Sequence, residues 1–271
     1  NPHRLTLTFG VSASFLKKMK LEQKRPQLFK DLPPFPKEQL REKYTGGDIV
    51  IQACADDEQV AFHAIRNLIR KGRNAVILRW SQSAIGDRLE TPRNLFGFKD
   101  GTANVTKEKD FDRVVWADSK DWMENGSYMA VRRIQMFLDT WDRTNLEEQE
   151  NTFGRYKESG APFGKKNEFD EVDLSLLPDD SHVRLAKEVD KPLLRRSYSY
   201  SDGIDDKTGQ FHTGLLFISF QKDPDHFVKV QTNLGATDKM NEYVTHIGSG
   251  LFACFGGVEK GGYIGQKLLE D

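Results

Sequence analysis

Cysteine is scarce in this chain of 271 residues: there are two. Cys54 and Cys254 each lie in an apolar run, IQACA and LFACFGG, where a buried thiol is the simpler reading and a disulfide the other. No CxxC and no Cys/His cluster occurs, which excludes a cysteine-built metal centre and leaves the redox compartment open. No run approaches the ~20 apolar residues of a membrane helix. No secretory signal is visible either. An excess of one charge is also missing: 40 Lys and Arg stand against 41 Asp and Glu, a net charge of −1. Phosphate recognition normally shows as a basic excess, so no nucleic-acid partner is expected. An initiating methionine is absent as well. The chain opens NPHRLTLTFGVS, with Pro2 leading almost directly into a strand-like run. The expectation is that roughly 60 or more residues precede Asn1, carrying one strand, one helix and any signal.

What is present fits a globular protein: 30% of the residues are charged and 37% hydrophobic. The length allows one large or two ordinary domains. An internal repeat favours two. Ile49–Leu68, IVIQACADDEQVAFHAIRNL, aligns without a gap to Leu215–Leu234, LLFISFQKDPDHFVKVQTNL. Each begins with an apolar strand-like run. Each then places an aspartate, Asp57 or Asp223, where a helix should start, and acids suit that end of the helix dipole. Each continues at helical spacing. A further strand is predicted after each, at Asn74–Trp80 and Ser249–Phe255. Leu5–Phe9, Tyr128–Leu138 and RRSYSYSDG read as strands, and Thr144–Tyr156 as a capped helix.

The second half therefore reads β-α-β-β-α-β, and the first half is short of its opening strand and helix. This is an α+β chain of two ferredoxin-like (split βαβ) halves with antiparallel sheets, residues 1–125 and 126–271. A polar linker, residues 106–127, separates them. The segment 157–180, KESGAPFGKKNEFDEVDLSLLPDD, is a long insertion, and insertions of more than about 15 residues in a compact domain are often functional.

Four features could carry chemistry. NLFGFKDGTANV (Asn94–Val105) places Asp100 before a glycine at the end of an apolar stretch. Asp-Gly is a turn dipeptide. It is also a candidate acid/base if Phe96 and Phe98 wall the carboxylate with apolar surface. Of six histidines, His182 stands out. In LLPDDSHVRLAKE it opens a helix that Asp179, Asp180 or Ser181 could cap, directly after the insertion, so an exposed ring nitrogen could ligate a metal or cofactor. His226 and His246 come next. Arg195 and Arg196 are adjacent in a strand, so one faces inward and needs an anion nearby. Trp80, Trp116, Trp122 and Trp141 read as packing residues, with surface electron transfer the alternative. A ferredoxin-like binding module without catalysis accommodates all of these equally.

The combination resembles a known family. GFKDG (Gly97–Gly101), within TPRNLFGFKDGTAN, is similar to the GxxDG motif of dye-decolourising peroxidases. SHVRLA resembles their segment bearing the proximal haem histidine, LLRRSYSY the one bearing the distal arginine, and DKMNEYVTHIGSGLFACFGG their C-terminal block. The likeness covers nearly the whole chain and is strongest to the secreted EfeB-type branch of bacterial ferrous-iron uptake. It implies a b-type haem in the second half, with His182 as iron ligand and Asp238 accepting the other N–H of that histidine. It places Asp100 and Arg195 as the catalytic pair on the opposite face, with Asn104 lining the cavity and Arg184 facing a propionate. It implies reaction with hydrogen peroxide and oxidation of dyes, phenolic donors or ferrous iron. The alternative is a haem- or iron-handling protein, a deferrochelatase or an oxidising partner of an iron-uptake membrane protein, with weak turnover. The resemblance also implies an extracytoplasmic location and admits a homo-oligomer.

Overall fold

The computed structural model describes residues 2–86 and 91–270. Its elements in chain order are β1 (Thr6–Val11), α1 (Ala13–Lys18), β2 (Ile49–Cys54), α2 (Glu58–Gly72), α3 (Phe111–Val114), β3 (Ser127–Met136), α4 (Leu138–Asp142), α5 (Leu146–Phe153), α6 (His182–Glu188), β4 (Leu194–Arg195), β5 (Tyr198–Ile204), β6 (Phe211–Gln221), α7 (Pro224–Thr237), β7 (Val244–Cys254) and α8 (Gln266–Glu270). The architecture is α+β. One antiparallel sheet runs β2-β1-β7-β3-β6-β4, and β5 also pairs with β6.

Residues 127–254 form the split βαβ unit. The sequence order β3, β5, β6, β7 becomes β7-β3-β6-β5 in space, with α5 following β3 and α7 following β6. Long ladders hold it: Tyr128–Gln135 pairs with Gly214–Gln221 on one side, and Ser127–Met136 with Val244–Cys254 on the other. The repeat seen in the sequence survives as structure. Asp57 caps α2 by accepting from Gln59 N and Val60 N, and Asp223 caps α7 by accepting from Asp225 N. β1 joins the second unit through Gly10 and Val11, opposite Cys254 and Ala253.

The strand predicted at Asn74–Trp80 does not form. After α2 the chain turns and continues without a ladder, leaving Ile77 94% exposed. A strand needs a neighbour for its N–H and C=O groups. Among the described residues β2 pairs with β1 alone, so its outer edge stays unmatched. The strand read in RRSYSYSDG is split: β4 and β5 lie one after the other along β6. Both cysteines are free thiols, Cys254 buried and Cys54 partly so.

Two cores set the frame of the molecule. The first joins Tyr128, Ala130, Leu251 and Ala253 of the sheet to Phe227 of α7 and to Phe29 and Phe35. The second gathers Phe96 and Phe98 with Met136, Trp141, Phe153, Met240 and Tyr243. Phe98 stacks on Phe153 with centroids 3.9 Å apart, and Phe96 lies 4.4 Å from Trp141. Each fully buried Phe contributes on the order of 1.5–3 kcal/mol by leaving water. A loop with no ladder of its own is thereby fixed to the helical layer.

Candidate functional site

The Asp100 loop is built from its asparagine outward. The Asn94 side chain accepts from Phe96 N at 3.0 Å and Phe98 N at 3.3 Å, and Asn94 N donates to Phe98 O. Gly97 and Gly101 adopt φ of +81° and +99°, conformations that side chains resist. The turn they permit sends both phenylalanines into the core, 3% and 2% exposed, while Asp100 points elsewhere. Asp100 N donates to Pro92 O at 2.8 Å, which closes the loop.

Arg195 meets Asp100. Its Nη1 donates to Asp100 Oδ1 at 2.8 Å, and the two side chains are 29% and 23% exposed. Of the two adjacent arginines, Arg196 is the exposed one. Asn104 makes a backbone-like pair with Arg195: its Nδ2 donates to Arg195 O at 2.9 Å, and its Oδ1 accepts from Arg195 N at 2.8 Å. Asn104 therefore fixes the main chain from which the guanidinium projects, more directly than a cavity-lining residue would. Arg195 sits in register with Ser219 of β6, so both face one side of the sheet. Ser219 is fully buried, and among the described residues its Oγ has no partner.

His182 is the first residue of α6. Its Nδ1 lies 2.7 Å from Asp238 Oδ2. Asp238 is 3% exposed and ends α7; its Oδ1 accepts from Met240 N at 2.8 Å. One carboxylate oxygen is thus occupied by a backbone N–H and the other by the imidazole. The carboxylate requires the proton on Nδ1, which leaves the Nε2 lone pair free. The His182 side chain is 35% exposed, but the protein atoms crowded around its ring oppose its charge; Asp238 outweighs this and the net displacement of its pKa is upward. The charges of Arg195 and Asp100 also act on this ring, so the two groups share a neighbourhood with it. Phe153 joins them physically, stacked on Phe98 and edge-on to His182 at 6.4 Å.

The helix does not start with a capping side chain. Ser181 Oγ donates to Pro178 O instead. The approach to His182 is held by Lys239 N donating to Asp180 O, and by Arg184. Arg184 donates to Leu174 O and Leu177 O and pairs with Asp179 and Glu188. Its contacts thus brace the turn before α6. Trp122 and Trp141 are buried, Trp80 is partly covered, and Trp116 is 41% exposed.

The other histidines differ in chemistry. His246 Nδ1 accepts from Arg132 Nε at 3.2 Å, so its Nε2 carries the proton and offers no lone pair. Burial, with Arg132 and His182 close by, pushes its pKa down to about 3. Burial also lowers the pKa of His226. Sequence reasoning missed Arg132 and Arg133, 1% and 0% exposed in the middle of β3. Arg132 is neutralised by Glu38; Arg133 lies between the rings of Tyr44 and Tyr200, 4.2 Å from each, and pairs with Asp202. Two adjacent arginines inside an apolar strand were the only available signal.

A haem fits this arrangement. Among the described residues no three His, Cys, Asp or Glu side chains gather, so a bare ion would find a single imidazole. A macrocycle that brings four nitrogen ligands needs only that imidazole, oriented by a carboxylate. The buried aromatic wall and the unpartnered Ser219 Oγ beside Arg195 agree with such an occupant.

Comparison with known proteins gives a consistent result. The family model described as Dyp-type peroxidase, N-terminal, matches residues 1–84, and that described as Dyp-type peroxidase, C-terminal, matches residues 91–259. A dye-decolorizing peroxidase of Thermobifida fusca (strain YX) is 38% identical over 295 residues, covering 99% of this chain and 68% of its own. A deferrochelatase of Shigella sonnei (strain Ss046) is likewise 38% identical, covering 99% of this chain and 69% of its own. The structure of ferric DtpA from Streptomyces lividans superposes with a TM-score of 0.92 at 38% identity, over 98% of this chain and 78% of that one.

Proposed function

Since this chain belongs to the Dyp-type peroxidase family and is a haem peroxidase, we propose that His182 would hold the haem iron and that Asp100 and Arg195 handle the proton and charge of hydrogen peroxide. The observation that carries this reading is the pairing of two separate carboxylate contacts. Asp238 bonds the imidazole that has a free Nε2, and Asp100 bonds the guanidinium of Arg195, the inward member of the Arg195–Arg196 pair.

When bound, the haem supplies the redox centre at which peroxide is reduced. The residues of the chain have separate tasks. Asp238 keeps the proton on His182 Nδ1 and makes the imidazole a stronger donor through Nε2. Asp100 takes a proton from the near oxygen of peroxide at a carboxylate oxygen and returns it to the far oxygen, which leaves as water. General acid–base help of this kind contributes about 10²–10⁴ in rate. Arg195 stabilises negative charge building on the departing oxygen, with a fixed guanidinium that needs no reorganisation. Asn104 holds the Arg195 main chain in place through two hydrogen bonds. The packed side chains of Phe96, Phe98 and Phe153 anchor the loop that bears Asp100.

Dyes and phenolic compounds are the proposed donors. Ferrous iron is a further one, and equal identity to a protein named a deferrochelatase favours an iron-handling role beside peroxide reduction. On that reading the protein works outside the cytoplasm beside iron-uptake membrane proteins. Iron released from bound haem, measured with a ferrous chelator, would support the iron-handling role; intact haem under the same conditions refutes it.

The ligand assignment is tested by His182→Ala. Haem retention should fall to a small fraction with little change in circular dichroism, because the His182 side chain is 35% exposed and adds little to the packed core. A normal histidine-ligated spectrum in the variant overturns the assignment.

A further inference from the structure

The contacts that fix Asp100 lead to a buried carboxylate that the chemistry above does not use. Glu168 lies in the insertion between residues 157 and 180 and is 8% exposed. Its Oε2 accepts from Lys99 Nζ, and its Oε1 accepts from Thr102 Oγ1 at 2.8 Å. Lys99 and Thr102 flank Asp100 in the chain. The backbone of Glu168 is itself held: Arg155 Nη1 donates to Glu168 O at 2.9 Å and to Gly160 O at 2.6 Å. Gly160 has φ +74°, and a Cβ there would come within 2.8 Å of Lys99 Cδ and 3.3 Å of Glu168 Cγ. The glycine makes room for the clamp.

An exposed Lys–Glu pair contributes little. This one differs, because one partner is buried and accepts from two donors of a single loop. Its removal would leave an ammonium and a hydroxyl without their acceptor, and the turn bearing Asp100 would lose its fixed side. Misplacement of a reacting group by about 1 Å can cost on the order of 10²-fold in rate.

We propose that Glu168 is a positioning residue for Asp100: by clamping Lys99 and Thr102 it keeps the Asp100 carboxylate aligned with Arg195. The proposal rests on Asp100 as the proton-transfer group, and its test separates the two. Glu168→Ala, Glu168→Gln and Thr102→Val are made in the full chain, each in the parent and in an Asp100→Asn background. Amide hydrogen exchange over residues 91–104 is followed in the apoprotein. The second-order rate with hydrogen peroxide is followed in the haem-loaded protein.

In Glu168→Ala, exchange of the loop should rise about tenfold while β3 and β6 stay protected. The peroxide rate should fall about tenfold in the parent but less than about twofold when Asp100 is already Asn, because residues acting through one another are not additive. Thr102→Val, which removes one contact of the clamp, should fall between parent and Glu168→Ala. If Glu168→Ala does not fold, Glu168→Gln and Thr102→Val carry the same comparison. Unchanged loop exchange, or an equal loss of rate in both backgrounds, overturns the clamp while Asp100 keeps its role. A parental rate in Asp100→Asn alone overturns both.

Discussion

Asp238→Asn is the sharpest perturbation of the His182 side, because it changes one group and leaves the shape. In the parent, Asp238 Oδ1 accepts from Met240 N and Oδ2 faces His182 Nδ1. An asparagine has one carbonyl oxygen for these two donors. If it serves Met240, the amide NH₂ points at the imidazole, and His182 can answer only by moving its own proton to Nε2. The lone pair needed for iron is then lost. If it serves His182, a buried backbone N–H is left unpaired, at about 1–3 kcal/mol. A charge-assisted hydrogen bond contributes about 1.5–3 kcal/mol, and loss of such a partner typically costs 10–100-fold in metal affinity, or about 1.4–2.8 kcal/mol. The two routes agree in size. The expected result is a 10–100-fold weaker haem affinity (an order-of-magnitude range) in Soret titration of the apoprotein, with nitrogen NMR placing the His182 proton on Nε2. A pH dependence arises from the upward displacement of the His182 pKa. A raised pKa gives stability that is present below the ordinary value of 6.5 and is lost as the pH rises through the raised one. The apoprotein should therefore melt further above the variant on the acid side of 6.5 than on the alkaline side. Parental haem affinity together with a proton still on Nδ1 would refute the reasoning.

Three further outcomes are expected. Asp100→Asn and Arg195→Leu should each slow the reaction with hydrogen peroxide by about 10²-fold or more at unchanged haem content, and stopped-flow rates equal to the parent in both would return GFKDG to a structural turn. Asn104→Ala removes two hydrogen bonds from the Arg195 main chain, about 0.5–1.5 kcal/mol each; it should lower both the melting temperature and the peroxide rate, the rate by less than Arg195→Leu does, and a loss of rate equal to that variant would show a role beyond positioning. Burial acts to raise the Glu168 pKa, but Lys99, Thr102 and Thr91 together bring it below the ordinary 4.5; a lowered carboxylate pKa stabilises above 4.5 and fails only as the pH falls through the depressed value, so apoprotein melting should stay above that of Glu168→Gln at pH 4.5 and converge with it in stronger acid.

Local signals account for what the sequence disclosed. Asp57 and Asp223 announced two helix starts because capping is chemistry within three residues. Asn145 and Gly154, cap and left-handed stop, bound α5 for the same reason. Asp100 stood out because glycines and phenylalanines surround it, and its partner Arg195 because one of two neighbours in a strand must face inward. The failure at Asn74–Trp80 is instructive. Its composition suits a strand, yet a ladder depends on a neighbouring edge, and no property of the seven residues themselves reports whether one is present. Glu168, Glu38 and Arg132 were illegible for a related reason. A charged residue is marked as functional by burial and by partners remote in sequence, and NEFDEVD offers four carboxylates with nothing local to separate them.

The length of the insertion made it a candidate functional segment, and its contacts show what it holds in place. At its near end Arg93 donates to Lys157 O and Glu158 O, and in its middle Glu168 takes Lys99 and Thr102, so this stretch carries the Asp100 loop. At its far end Leu174 O and Leu177 O accept from Arg184, and Pro178 O accepts from Ser181, so it also sets the start of α6 and with it His182. On the proposed assignment the acid/base group Asp100 and the ligand His182 must be held at a fixed separation, yet they come from segments about 80 residues apart. A single braced segment that touches both keeps that separation without either group belonging to the sheet. Shortening the insertion should therefore disturb haem ligation and peroxide reaction together, whereas a change confined to Lys99 or Thr102 should disturb the second alone. A Lys99→Met variant that lost haem as readily as His182→Ala would contradict this division.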